Sequence, residues 1–387
     1  MSNQFKLHLP TLEEVQETCK NSEAFFIKET EIKGYKAFLV DYRLASYSDF
    51  EDNKAYEYRG LTFIYNPITK DYDRHILLNK FFNLNETKNF MLDDVKNKKL
   101  IRVQEKLDGS IVSPIKLPNG DIVFKSKMSF ISDQAIMSQD IYNDNQNIKD
   151  FVSYCLDNNT TPIFELVGYL NQVVVGYPME KELRLIQLRR KDGTYLNKEM
   201  FNTFKAMFSI NTAKELNLTL EEILELKENS KEDIEGWVLT FDDGQIVKVK
   251  TNAYFEKHGL LSPDNLRENL LVQSILNNTI DDIISNLVDS PKKDYIIEVQ
   301  EKISKIFNHL VVEYKNLRAK YFLECQENKK DFAIKYKKER LFGFVMKKLD
   351  TSFRDVEKTA EESVKLFILD RTKKLNEAKR FINDFEV

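Results

Sequence analysis

Ile101-Arg102-Val103-Gln104-Glu105-Lys106-Leu107-Asp108-Gly109-Ser110-Ile111-Val112-Ser113-Pro114-Ile115 reads as strand, turn and strand. The β-branched residues of 101–104 and 111–115 flank a lysine set two residues before Asp-Gly. An amine held at a strand-to-turn junction, with a glycine that lets backbone approach closely, suits a covalent nucleophile that must meet a phosphate. A free lysine amine is protonated near neutral pH, so such a site has to disfavour the extra charge with neighbouring cations or a metal. The same pattern also fits a solvated lysine beside an Asp-Gly hairpin turn.

Outward from this stretch the texture is mixed. Short β-branched and aromatic runs recur at Ala37–Val40, Leu61–Tyr65, Ile122–Phe124, Pro162–Glu165, Leu183–Leu188, Gly236–Phe241 and Gln245–Lys250. Pro118-Asn119-Gly120, Lys191-Asp192-Gly193 and Asp242-Asp243-Gly244 punctuate them as turns. Thr11 and Glu14 form a capping box before Val15, and Ser132–Asp144 and Leu218–Leu226 read as helical. Residues 1–258 therefore predict an α+β domain built on antiparallel sheets. Beyond about Gly259 the period changes. Ser262-Pro263 and Ser290-Pro291 are N-cap and first-turn signals. Val299, Ile303, Ile306, Leu310, Tyr314, Leu317 and Tyr321 form one apolar stripe at steps of three and four, and Gly343 is the only later glycine. Residues 259–387 predict an all-α C-terminal domain.

The 387 residues are enough for two or three domains, and 42% are apolar, as in soluble globular proteins. No apolar run reaches the length of a membrane span, and Met1-Ser2-Asn3-Gln4 lacks a signal pattern. Cys19, Cys155 and Cys325 fit no metal or disulfide spacing, and His8, His75, His258 and His309 are scattered. A reducing cytoplasm is the expected setting. Net charge is −4, so any nucleic-acid contact must come from local patches. Arg184, Arg189, Arg190 and Lys191 form one candidate, and 315–348, with eleven Lys/Arg against four Asp/Glu, forms another; either could equally be a solvated face.

The elements downstream of Lys106 come in a meaningful order. Glu165 sits in an apolar strand, Glu235 opens another, and Lys248 and Lys250 share one face of a third. Together they describe one task. A lysine attacks the α-phosphate of a nucleotide, lysines stabilise the charge on its oxygens, and glutamates hold a hard cation such as Mg²⁺.

Lys106-Leu107-Asp108-Gly109 resembles the nucleotide-attachment motif of the covalent nucleotidyltransferase superfamily of ATP-dependent ligases and mRNA capping enzymes. Ala45–Phe50, Tyr58-Arg59-Gly60, Lys80–Glu86, Phe124–Lys127 and Lys248-Val249-Lys250 with Tyr254 are similar to the tRNA-repairing RNA ligases of T-even bacteriophages. The resemblance runs from roughly Phe38 to Tyr254 and continues weakly through Leu341–Phe344. It implies a nucleotidyltransferase domain of ATP-grasp-like antiparallel sheets followed by a helical RNA (tRNA) specificity domain. Lys106 would carry AMP, and Gly109 would lie in the same nucleotide-binding motif. Arg59 and Lys80 would contact the phosphates of ATP, with Phe82 near them. Lys127 would seat the nucleotide or the metal. Glu165 would bind ribose hydroxyls or the metal shell, and Glu235 the Mg²⁺ (or Mn²⁺). Lys248 and Lys250 would stabilise the α-phosphate, Tyr254 would lie on the triphosphate side, and Tyr42 would belong to the pocket.

The chain departs from the family at Leu107, where the ligase has an acidic residue, at Gln172 in place of an arginine, and at Trp237 in place of a tyrosine. The Gln172 change puts one anion contact in doubt. The resemblance implies an ATP-dependent RNA ligase joining 5′-phosphate and 3′-hydroxyl ends through lysyl-AMP and RNA-adenylate, acting on cleaved tRNA. No membrane and no obligate protein partner is expected, and a phage-encoded chain would work in the host cytoplasm. The rivals are a DNA ligase or capping guanylyltransferase, whose usual β-rich OB-fold the tail does not resemble, and a catalytically inactive RNA-binding relative.

Overall fold

The computed structural model describes residues 7–230, 233–257, 267–285, 287, 292–350 and 356–385. Among the described residues twelve strands form three four-stranded sheets. The first holds β1 (Phe25–Ile32), β2 (Tyr35–Tyr42), β3 (Leu61–Asn66) and β4 (Asp71–His75) in that order. The second joins β5 (Leu100–Lys106), β10 (Glu215–Leu216), β11 (Gly236–Phe241) and β12 (Ile246–Lys250) in the order β10-β5-β11-β12. The third joins β6 (Ser110–Lys116), β7 (Ile122–Ser126), β8 (Thr160–Val167) and β9 (Glu182–Arg190) in the order β7-β6-β8-β9. The ladders of the second and third sheets are antiparallel throughout. The decisive stretch is therefore not a hairpin. β5 ends at Lys106 in the second sheet, and after Leu107-Asp108-Gly109 the chain enters the third at Ser110.

Local chemistry explains the elements. Gly120, Gly193 and Gly244 take positive φ (91°, 86° and 89°) at the three turn signals. The Thr11/Glu14 box forms, with Thr11 N donating to Glu14 Oε2 (2.7 Å) and Glu14 N to Thr11 Oγ1 (3.3 Å), and it starts a helix over Leu12–Asn21. Ser132 caps Asp133–Asp144, and Thr219 with Glu222 boxes Leu220–Asn229. Helices Gln146–Asp157 and Lys198–Phe208, capped by Asn145 and Asn197, carry no sequence expectation above. They bury Phe151, Val152 and Phe201 beside Phe164, Leu185 and Leu188 of the third sheet. That is where much of the core sits.

The chain divides into two compact units, Met1–Thr18 with Ile27–Asp41 and Phe50–Leu260, and Cys19–Phe26 with Tyr42–Asp49 and Leu261–Val387. In the second unit a 32-residue helix, Lys292–Leu323, buries the whole stripe from Val299 to Tyr321. It packs against Val356–Arg371 and Glu268–Leu276. Glu357 is bound by Arg43 and by Lys315 (2.9 Å). The Ser262-Pro263 and Ser290-Pro291 signals lie outside the described residues. No described helix is long and apolar enough to cross a membrane.

Candidate active site

Antiparallel register places the lysines. Lys106 on β5 lies opposite Gly236 on β11, and Gly236 lies opposite Lys250 on β12. One step deeper, Gln104, Val238 and Lys248 form the next row on the same face. Only glycine fits between the two lysines. A Cβ on Gly236, whose φ is +149°, would stand 2.0 Å from Val249 O. Gly109 is as tightly placed, with a Cβ position 2.3 Å from Leu166 O.

Between the second and third sheets lies a cavity of about 560 Å³. Arg59, Lys106, Lys127, Lys248 and Lys250 all reach it, as do Gly109 and Glu165. Glu235 lies at its edge, 4% exposed, under the lysine row. Lys106 Nζ contacts Glu235 Oε2 at 2.5 Å and Lys250 Nζ reaches Oε1 at 3.1 Å. Burial acts to raise the Glu235 carboxyl, but the two ammonium groups outweigh it and hold it below the usual carboxylate range. Glu165 is the opposite case. Burial pushes it up to about 8, the Lys106 charge opposing and the Glu235 charge assisting. Among the described residues Glu165 has no hydrogen-bond or ion-pair partner, which marks a carboxyl built to meet something from outside.

Five cations against few carboxylates make the cavity suited to a polyphosphate. Arg59 and Lys248 each lie 5.9 Å from the Phe81 ring. Lys127 Nζ is 2.8 Å from Asp41 Oδ2. Beneath, the buried Lys125 donates to Gly60 O (3.0 Å) and Lys127 O (3.2 Å), and burial lowers it to about 7. No group of three or more His, Cys, Asp or Glu converges among the described residues. The Glu165 and Glu235 pair fits a hard cation whose shell water and substrate phosphates complete, as Mg²⁺ prefers.

Other expected site residues lie elsewhere. Phe82, 2% exposed, packs against Phe50, Tyr56 and Phe90, and Lys80 covers its ring at 4.7 Å. The reason is alternation. Residues 82–84 run alongside Lys248 as an extended edge, with Lys248 N donating to Phe82 O and Leu84 N to Lys248 O. Phe81 turns to the cavity, so Lys80 and Phe82 turn to the core. Tyr254, 4% exposed, donates to Asp108 Oδ1 (3.1 Å) and is not among the lining residues. Tyr42 ends β2 and does not line the cavity either.

Sequence reasoning gave Asp108 no role of its own. Its Oδ2 accepts from Val174 N and Val175 N (2.7 Å each), and its own amide donates to the Tyr177 hydroxyl (3.0 Å). The basic run at 184–191 also dissolves as a patch, because Arg189 is buried against Glu57 at 2.5 Å and Arg184 pairs with Glu182.

The chain matches the family model described as RNA ligase over residues 57–258. It is 28% identical over 355 residues to a Thermovibrio ammonificans protein named "Putative RNA ligase", covering 84% of this chain and 90% of the relative. Two solved structures of an archaeal ATP-dependent RNA ligase are also similar. Form 2 has a TM-score of 0.47 at 12% identity, covering 79% of each chain. Form 1 has a TM-score of 0.48 at 13% identity, covering 81% of this chain and 83% of that one.

Proposed function

The chain belongs to the RNA ligase family, and from that premise we propose that it is an ATP-dependent RNA ligase of the tRNA-repair type, with Lys106 as the residue that carries AMP. One observation supports this most. Lys106 stands at a cavity where Lys250, Glu235 and a buried Glu165 that has no hydrogen-bond or ion-pair partner among the described residues come together.

In the first step Lys106 Nζ, having released its proton to water, forms a bond to the α-phosphorus of ATP, and the bond to the departing pyrophosphate breaks. Arg59 and Lys127 hold the phosphates, and Lys248 and Lys250 neutralise the charge that develops on the α-phosphate oxygens. Glu165 and Glu235 would hold a divalent cation, Mg²⁺ or Mn²⁺, which when bound supplies charge neutralisation at the phosphates. Glu235 also orients Lys106 and Lys250 about one carboxylate. AMP then passes to an RNA 5′-phosphate, and a 3′-hydroxyl displaces it to seal the strand. The helical C-terminal region, residues 259–387, would grip a structured RNA, a tRNA cleaved in its anticodon loop. The cytoplasm is the setting for that reaction.

The test is incubation with α-labelled ATP and Mg²⁺. A labelled protein band is expected, absent in Lys106→Ala. Sealing of cleaved tRNA above linear single strands and nicked duplexes supports the tRNA assignment, and equal sealing of all three removes it.

A further inference from the structure

The turn that follows β8 carries an exposed apolar platform that the first step above leaves unused. Tyr169, Leu170 and Val173 are 53%, 53% and 54% exposed. Among the described residues the Tyr169 side chain has no hydrogen-bond, ring or cation partner. Large apolar side chains grouped on a surface mark an interaction site. Here the backbone beneath them is fixed. Tyr169 N donates to Met179 O (3.0 Å) and Leu170 N to Glu180 O (3.2 Å). Gly168, at a φ of +138°, lies so close to the returning chain that a Cβ would stand 2.3 Å from Glu180 O. At the far end Asp108 Oδ2 accepts from Val174 N and Val175 N, which binds the turn to the crossing that follows Lys106.

Asn171, buried in the middle of the turn, sets its place on the cavity. Its Nδ2 donates to Leu166 O (2.8 Å) and to Ser110 Oγ (3.1 Å), and Gln134 Nε2 donates to its Oδ1 (3.3 Å). Ser110 and Gln134 both line the cavity, as do Ser126 and Lys127. Gln134 belongs to the helix capped by Ser132, whose hydroxyl donates to Ser126 Oγ (2.9 Å). The platform therefore borders the cavity on the side of Lys127, where the ligase reading puts the phosphates of ATP. Residues 168–180 hold no Lys or Arg. Cations gather inside the cavity and apolar groups on its border. That division suits a nucleotide whose phosphate goes in while its base stays out, because an aromatic ring stacks any of the four bases.

We propose that Tyr169, flanked by Leu170 and Val173, stacks the 5′-terminal base of the RNA strand that receives AMP, an inference that rests on the ligase reading. The 5′-phosphate of that strand has to enter the cavity to meet the lysyl-AMP. One of its oxygens forms a bond to the AMP phosphorus as the bond to Lys106 Nζ breaks, and the amine takes up a proton from water. The sugar and base of the same nucleotide, a few bonds away, are left at the border, against the platform.

The experiment measures AMP transfer from the labelled protein to 5′-phosphorylated single-stranded RNA whose first nucleotide is either normal or abasic. Tyr169→Ala is expected to keep self-labelling by ATP within about twofold but to lower transfer to the normal strand about tenfold in kcat/KM, a loss in keeping with the removal of one base–aromatic stack. Tyr169→Trp, which keeps a stacking face, is expected to transfer as wild type does. The wild-type chain is expected to lose about tenfold on the abasic strand, and Tyr169→Ala to treat the two strands alike. A wild-type chain that does not distinguish the strands overturns the inference, and so does a Tyr169→Ala variant that still does. A defect confined to sealing of ready-made RNA-adenylate overturns it in favour of the 3′-hydroxyl strand as occupant. Absence of self-labelling in the wild-type chain overturns the ligase reading itself, and with it this inference.

Discussion

Lys106 and Glu235 meet at 2.5 Å, and the second oxygen of the same carboxylate holds Lys250 at 3.1 Å. One acidic side chain thus sets the spacing of two ammonium groups on β5 and β12, the strands on either side of β11. The substitution Glu235→Gln keeps the shape but removes the charge that reconciles them. We expect protein labelling by ATP to fall by about 100-fold or more, since electrostatic organisation of this kind commonly contributes that much. Labelling within about threefold of wild type would remove Glu235 from the machinery.

Glu165 carries a signature in pH. Its folded-state pKa is pushed up to about 8, by burial foremost, from an ordinary value of 4.5. Between those two values the folded chain holds a proton that the unfolded chain has lost, so this residue's contribution to stability falls as pH rises through the window. The neutral variant Glu165→Gln escapes that penalty. Its melting temperature is expected to exceed that of wild type at about pH 8 and above, with the gap closing toward pH 4.5. A gap that is constant with pH would contradict the burial argument.

Gly236 is the seat of a steric prediction. Its backbone conformation and the 2.0 Å approach of Val249 O leave no room for a methyl group. Gly236→Ala is expected to push β11 from β12 and to lose both stability and labelling, whereas Gly343→Ala, where the backbone is not in the left-handed region and nothing stands within 4 Å of the added carbon, should cost far less and keep labelling. Thermal melts and labelling of the two variants side by side give the comparison.

Glu57 and Arg189 form a fully buried pair, their side chains 1% and 2% exposed. Arg189→Met strands a carboxylate and is expected to cost ~3–5 kcal/mol in urea unfolding. Adding Glu57→Leu should recover much of that loss, because a well-packed apolar pair can replace a buried ion pair. If the double variant is no better than the single one, the bridge rather than the stranded charge is the source of stability.

Much of this fold could be read from residue patterns because local signals were strong. β11 spans the Gly236–Phe241 run, β12 lies within Gln245–Lys250, and the turn signals at Gly120, Gly193 and Gly244 each mark a glycine with positive φ. The stripe of the long C-terminal helix is buried residue by residue. What failed was direction. Lys80-Phe81-Phe82 gives no local hint of which aromatic faces the cavity, since that depends on pairing with the distant Lys248. Tyr254 likewise turns to Asp108 through a contact no spacing reveals.

The crossing from Lys106 to Ser110 has a consequence for how this chain can vary. An Asp-Gly turn is ordinarily a good place to lengthen a protein or to open new termini. Here the turn is sealed, with Gly109 pressed on Leu166 and Asp108 gripping two backbone amides. One added residue there would break the close approach of Gly109 to Leu166 and the Asp108 grip on Val174 and Val175. Circular permutants and inserted tags belong at turns such as Gly120, where an added carbon meets nothing within 4 Å.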